Sequence, residues 1–367
     1  MKALPMMGKL INVSFRLATE EDSHIPVYDN TKLTAINTCP TWGIVRYIQH
    51  KTFATGNRAM ALEAGAAMHE VFAAVRLIQL FRETLARSGE DLAWQFMDFH
   101  GARLFGFNRY NENLKPKFDA NEDTRTLILD FCLEALYTSG FYDDPKDRFR
   151  TLSNLEEAAI LYIDRWNWNR YPIWVRDPDD PQSDVGIEYP FDIVLEYTFE
   201  GNIQRNFRFS GKFDGIQWNK DDLCIGENKT GSRLNDAWSM SFELSSQITG
   251  YCLAASVWTG HAVNKGIIFG TQIPIPKSYE DGIVVENVKR ETHHFRRWLM
   301  WFLHTVELAE RYQHDPANAP RYTHSCNRYF RPCSFVSLCS GTDDEFNLGL
   351  QEMITEEWSP LHEKSGD

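Results

Sequence analysis

The sequence predicts a mixed α/β fold, with a central sheet flanked by helices and a helical lobe inserted ahead of the main strands. Two observations lead there. Apolar, strand-like runs at 191–199, 203–218 and 223–229 follow one another closely, and a helical stretch then precedes a fourth run at 266–272. That order, β-β-β-α-β, is the order of an α/β core. Upstream, apolar residues recur at helical spacing through most of 59–166, which supplies the lobe.

Taken in order, residues 10–17 read as a strand-like lead followed by an acidic turn, and 33–40 as a short helix stopped near Pro40. From Ala59 a long helix is expected, because Met68, Val71, Phe72, Val75 and Ile78 form one apolar stripe. Helical character continues with breaks through 127–136 and 155–166. A Pro/Asp-rich loop at 177–181 separates it from the three strands. A helix over 239–258, the fourth strand and a helix over 288–312 complete the core. The expected organisation is an N-terminal segment (1–58), a helical lobe (59–170), a core (171–315), a cysteine-bearing segment (316–342) and an acidic tail (343–367), such tails usually being solvated ends.

A chain of 367 residues with 43% apolar content, 24 Phe, 14 Tyr and 11 Trp has the means to build a sizeable core. No apolar run approaches the ~20 residues that span a bilayer, and no secretory leader pattern opens the chain. The expectation is therefore a cytoplasmic protein with no membrane role, whose 7 cysteines are reduced and free to bind metal. A net charge of −13 argues against a protein that coats nucleic acid. The sum hides a basic stretch containing Lys289, Arg290, Arg296, Arg297, Arg311, Arg321, Arg328 and Arg331, so a local positive surface is expected.

The chemistry concentrates between 207 and 251. Asp214, in Gly-Lys-Phe-Asp-Gly-Ile, and Glu227, in Gly-Glu-Asn-Lys-Thr-Gly, sit on adjacent strand-like runs joined by a turn at 219–222. Antiparallel pairing would set the two carboxylates side by side, and the strand period of 2 puts Lys229 on the face of Glu227. Two acids, an amine and the backbone carbonyl of Asn228 make a divalent-metal site suited to phosphodiester hydrolysis. The plainer reading is a hairpin with solvated charges. His69, in Gly-Ala-Ala-Met-His, is either a further ligand or a boundary histidine on a helix, with Gly65 allowing close backbone approach. Gln247 and Tyr251 lie four apart on the helix after the Glu227 strand. They either hold a phosphate or orient Lys229, or else form a polar edge to a core face. Cys326, Cys333 and Cys339 read C-x6-C-x5-C, with Cys39 near the other end. The paired spacing of zinc sites is missing, so four thiolates fit a 4Fe-4S cluster better, the alternative being ordinary buried cysteines.

Together, and in this order, these motifs resemble the PD-(D/E)XK nuclease superfamily, and within it the RecB-like, CRISPR-adaptation-type iron–sulfur exonucleases, some of them phage-encoded. The resemblance runs from Leu33 to Cys339: Leu33 to Pro40 with the first cluster cysteine, Gly65 to His69, Asp214, Glu227-Asn228-Lys229, Gln247 with Tyr251, and the terminal cysteine trio. It implies a restriction-endonuclease-like fold, with His69, Asp214 and Glu227 binding Mg²⁺ or Mn²⁺ and Lys229 catalytic. Gln247 and Tyr251 would support the site, and Cys39, Cys326, Cys333 and Cys339 would ligate a 4Fe-4S cluster. The expected activity is a DNA exonuclease acting on single strands or duplex ends in recombination or repair, with recombination or replication proteins as partners. The alternatives are a structure-specific endonuclease and a non-catalytic DNA-binding subunit.

Overall fold

The computed structural model describes residues 10–54, 60–105, 124–167, 169–199, 203–276, 278–328 and 331–358. The chain opens with β1 (Leu10–Leu17), β2 (Val27–Tyr28), α1 (Asn30–Thr38), α2 (Pro40–Tyr47) and β3 (Lys51–Thr52). Four described helices follow: α3 (Met60–Ser88), α4 (Glu90–Phe105), α5 (Thr124–Thr138) and α6 (Leu152–Arg165). Next come β4 (Ile187–Phe199), β5 (Ile203–Asn219), β6 (Asp222–Gly231), α7 (Asp236–Met240), α8 (Ser246–Thr259), β7 (Lys265–Gln272) and β8 (Ile283–Lys289). The chain then forms α9 (Thr292–Tyr312), β9 (Asn327–Arg328), β10 (Arg331–Pro332), α10 (Val336–Ser340), α11 (Asp343–Glu352) and β11 (Ile354–Thr355). This is a mixed α/β fold whose mostly antiparallel sheet is flanked by helices, as the sequence predicts.

Two units divide these elements: one of Met1–Asn57, Pro190–Lys212 and Thr292–Asp367, the other of Arg58–Tyr189 and Phe213–Glu291. In the first unit β1 pairs antiparallel with β4 from Leu17↔Ile193 to Leu10↔Phe199, and β2 lies parallel to β5 at Val27↔Arg208. The α9 side chains Trp298 and Phe302 pack edge-on against Phe209, Phe207 and Tyr28, which buries one face of this part of the sheet.

In the second unit β5, β6, β7 and β8 are neighbours in that order, with β6 and β7 parallel and the other pairs antiparallel. Parallel pairing needs a crossover, and α8 supplies it. Lys220, at φ 58°, closes the β5–β6 hairpin in the left-handed region. Strand alternation gives the sheet two distinct faces here. Cys224, Ile267 and Phe269 join the core built by α3–α6, whereas Ile225 and Gly266 meet Ile248 of α8. Helix α3 is long and apolar enough to pass a membrane-span test, yet 78% of its most apolar window is buried in this core.

Three elements differ from the sequence reading. The helix expected over 239–258 is two helices, because Asn235 and Ser245 each cap a new start through Trp238 N–H and Ile248 N–H. The helix expected from 288 begins at Thr292, and the residues before it form β8, a strand unrecognised in the sequence. Its mostly exposed edge position leaves it without a clear apolar alternation. Part of the acidic tail is ordered structure. Thr342 and Glu345 form a capping box for α11, Phe346 is fully buried, and β11 pairs with β3. Residues 359–367 of that tail lie outside the described residues.

Candidate active site

The β5–β6 ladder ends at the Gly215–Gly226 pair, and Asp214 and Glu227 are the residues just beyond it, near enough for the Asp214 charge to act on the Glu227 carboxyl. The Asn228 N–H donates to Asp214 Oδ2 at 2.7 Å, fixing that carboxylate against β6. Glu227 and Lys229 project toward α8, and Asn228 projects to the opposite face.

Helix α3 brings in the third group. His69 Nδ1 lies 3.6 Å from Asp214 Oδ1 and 3.5 Å from Glu188 Oε1. One ligand atom each from His69, Glu188 and Asp214 falls within 4.8 Å of the others, a spacing that fits the coordination sphere of one cation. The donor set, two carboxylates and one imidazole, suits Mg²⁺ or Mn²⁺. Glu188 was not anticipated. It stands at the head of β4 with φ 42°, a left-handed backbone rarely taken by a glutamate, and Arg103 donates to the carbonyls of Ile187 and Glu188 on either side of that bend. The sequence signal was slight: one acid between Ile187 and Tyr189, just ahead of the recognisable strand run.

Glu227 is held differently from Asp214. Lys229 Nζ lies 2.6 Å from Glu227 Oε1, Gln247 Nε2 donates to the same oxygen at 2.8 Å, and Lys229 donates to Gln247 Oε1 at 3.1 Å. Gln247 thus ties acid to amine, because Ser245 starts α8 where its second residue overhangs β6. Tyr251, one turn on, packs edge-on against Phe213 with ring centroids 5.7 Å apart, next to Asp214 in sequence. An added Cβ at Gly65 would meet only Thr230 Oγ1, at 3.6 Å, so the close approach expected there is an ordinary contact that brings the start of α3 to the end of β6. The Asn228 side chain is fully buried on the far face, which leaves its backbone as the part that meets the acids.

The charges are strongly interdependent. Burial works to lower the His69 imidazole, but Asp214 and Glu188 outweigh it and raise it to about 9. Burial, then Asp214, pushes the Glu227 carboxyl up to about 7 against Lys229 and His69. Burial opposes the charge on Lys229, and Glu227 and Asp214 more than restore it, so its amine rises above its ordinary value. The surrounding carboxylates thus hold both His69 and Lys229 in their charged forms against burial.

The four cysteines lie in the other unit. Cys39 stands between α1 and α2, and the Cys333 N–H donates to the Cys326 carbonyl at 2.8 Å. Cys333 and Cys339 pack on a cluster with Phe335, Leu338 and Phe346. Burial pushes the Cys339 thiol up to about 11, with Cys39, Cys333 and Cys326 adding to the rise against Arg321. Within the basic stretch, Arg290 is not available to a ligand. It is 1% exposed and donates to Thr249 Oγ1 and the Phe242 carbonyl, stitching β8 to α8 and the segment before it.

Comparison with known proteins points the same way. Residues 31–340 match the family described as the PD-(D/E)XK nuclease superfamily. No curated protein matches. A solved structure described as "Crystal structure of SSO0001" is 16% identical, with a TM-score of 0.24, over 38% of this chain, which spans about half (54%) of that one. The matched span contains His69, Glu188 and Asp214, the Glu227–Lys229–Gln247 group, and Cys39, Cys326, Cys333 and Cys339. The mixed sheet flanked by helices is consistent with a restriction-endonuclease-like fold, and the chain belongs to the PD-(D/E)XK nuclease superfamily.

Proposed function

We propose that this nuclease is a Mg²⁺- or Mn²⁺-dependent deoxyribonuclease that digests DNA from ends, as an exonuclease on single strands or on duplex termini. The observation that carries the reading is the meeting of His69, Glu188 and Asp214 beside the Glu227–Lys229–Gln247 group. A cation held by the first three would supply Lewis-acid stabilisation of the charge that develops on the phosphoryl oxygens. The remaining work belongs to the protein. Lys229, steered by Glu227 and Gln247, is a third exposed and presents a donor to the attacking water or to a phosphoryl oxygen. Water oxygen bonds to phosphorus as the ester P–O bond breaks; the water gives up one proton to solvent, and the leaving oxygen takes one from solvent.

The surroundings favour unstacked ends. Leu244, Leu62 and Met240, 77%, 75% and 70% exposed, are the most exposed large apolar side chains among the described residues. Leu62 is in the first turn of α3, and the other two lie between β6 and Gln247, so all three flank elements that carry the site. Leucine and methionine side chains can wedge between base steps and unstack them.

The reading keeps a 4Fe-4S cluster on Cys39, Cys326, Cys333 and Cys339 on the order of the cysteine motifs alone; among the described residues these thiols are not gathered at the ligand spacing that unites His69, Glu188 and Asp214. It extends also to a reducing cytoplasmic setting and a role in DNA recombination or repair. Anaerobically purified protein should be brown and contain iron and sulfide; colourless protein with stoichiometric zinc would replace the cluster assignment. For the nuclease, parent, Lys229→Ala and Asp214→Ala proteins are incubated with end-labelled single-stranded, end-labelled duplex and circular single-stranded DNA in either metal. Metal-dependent loss of the linear substrates by the parent alone is expected. Equal digestion by a folded variant would remove the assignment, and rapid cutting of circles would make the enzyme an endonuclease.

A further inference from the structure

A buried guanidinium underlies the two acids from the opposite face of the sheet. Arg76 is seven residues beyond His69 on α3, and none of it is exposed. It lies against the Gly215–Gly226 cross-strand pair. A Cβ at Gly215 would stand 2.6 Å from its Nε, and one at Gly226 would stand 3.1 Å from Nη2. The rings of Trp166 and Phe269 lie 5.6 Å and 5.9 Å from Cζ. A guanidinium can only donate, so we assign the Asn228 amide with its oxygen turned toward it, 2.5 Å from Nη1 and 3.2 Å from Nη2. The other end of that amide donates to the Tyr162 hydroxyl at 3.1 Å. The backbone N–H of the same asparagine is the donor to Asp214 Oδ2.

We propose that Arg76 is a positioning residue for the cation site: by clamping Asn228 it fixes the N–H that aims the Asp214 carboxylate at His69. The inference rests on the reading of His69, Glu188 and Asp214 as cation ligands. Its physical basis is the poor economy of the arrangement as packing alone. A buried charge with no carboxylate partner among the described residues is costly, and its Nε finds no hydrogen-bond partner there either. An apolar side chain would fill the space at less cost, whereas only a planar fork can grip one amide oxygen with two donors. Helix α3 thus serves the site twice, with a group beside the acids and another beneath them.

The test is Mn²⁺ binding measured by calorimetry without nucleic acid, beside thermal melts. Arg76→Lys keeps the charge but loses the fork, and Asn228→Ala keeps the backbone while losing the clamp. Each is expected to weaken Mn²⁺ about tenfold, the usual scale for groups that orient ligands. The double variant should bind no more weakly than either single one, because both remove the same link. A merely structural role would lower the melting temperature while leaving Mn²⁺ affinity of the folded protein within twofold of the parent. That result, or losses that multiply in the double variant, overturns the proposal. Should Arg76→Lys not fold, Tyr162→Phe takes its place, with the same weakening and non-additivity expected and parent-like affinity overturning it. A parent protein that binds no Mn²⁺ would instead fail the cation-site reading itself.

Discussion

Replacing Gln247 with Ala isolates the link between Glu227 and Lys229. The variant removes two charge-assisted hydrogen bonds, one of 2.8 Å to Glu227 and one of 3.1 Å from Lys229. Such bonds are worth about 1.5–3 kcal/mol each. The full sum is not lost, because Lys229 remains 2.6 Å from Glu227, and at 32% exposure its amine can recover a bond from water. The net effect should be near one bond, about 1.5–2 kcal/mol, or roughly 10–30-fold in turnover. On the proposed reading, in which Lys229 acts at the scissile phosphate and Gln247 only aims it, the loss should fall on kcat rather than KM. Initial rates on an end-labelled oligonucleotide over a range of concentrations measure both. Turnover within threefold of the parent, in a folded variant, would refute the idea that this amide sets the Lys229 position.

Gly215→Ala pushes a methyl against Arg76, which has no room to withdraw, and should cost about 1–3 kcal/mol in urea unfolding; an unchanged midpoint would mean that the guanidinium can move freely. Burial pushes the Glu83 carboxyl up to about 7, despite hydrogen bonds from Gln79 and the Ile173 N–H. The folded protein then holds that proton more tightly than the unfolded chain, so stability falls as pH rises from the ordinary carboxylate range to about 7 and is level above it. The loss is roughly 2–3 kcal/mol, and Glu83→Gln, neutral throughout, should lack it when unfolding at pH 5 and pH 8 is compared. Parallel pH dependence in parent and variant would contradict this.

What the sequence made legible follows from how far along the chain each relation reaches. Asp214, Glu227 and Lys229 were readable because a hairpin turn and a period of 2 relate them over a few residues. Gln247 was readable because one connection carries β6 to α8. His69 needed more, since no local pattern relates a residue on α3 to a strand some 145 positions later, and resemblance to a family supplied that relation. In the structure His69 lies 3.6 Å from Asp214, and the group of possible ligands there is completed by Glu188 rather than by the expected Glu227. Glu188 was missed for the opposite reason. Its position depends on a left-handed backbone and two hydrogen bonds from Arg103, and neither leaves a mark in the pattern of apolar residues.

Arg76 marks a harder limit. On the helical stripe of Met68, Val71, Phe72, Val75 and Ile78 an arginine reads as the edge of the apolar face, snorkelling to solvent. Yet Gly215 and Gly226, which neighbour Asp214 and Glu227 in the sequence, are the counterpart of that arginine. Their missing side chains make the space that the guanidinium fills. The two glycines and the arginine are therefore one feature, spread over α3, β5 and β6, and a change at any of the three should be felt at the other two. This is why the Gly215→Ala cost and the Arg76→Lys loss of Mn²⁺ affinity belong together. A variant joining them should be less destabilised than the two separate costs added, because the shorter-headed lysine leaves room for the methyl.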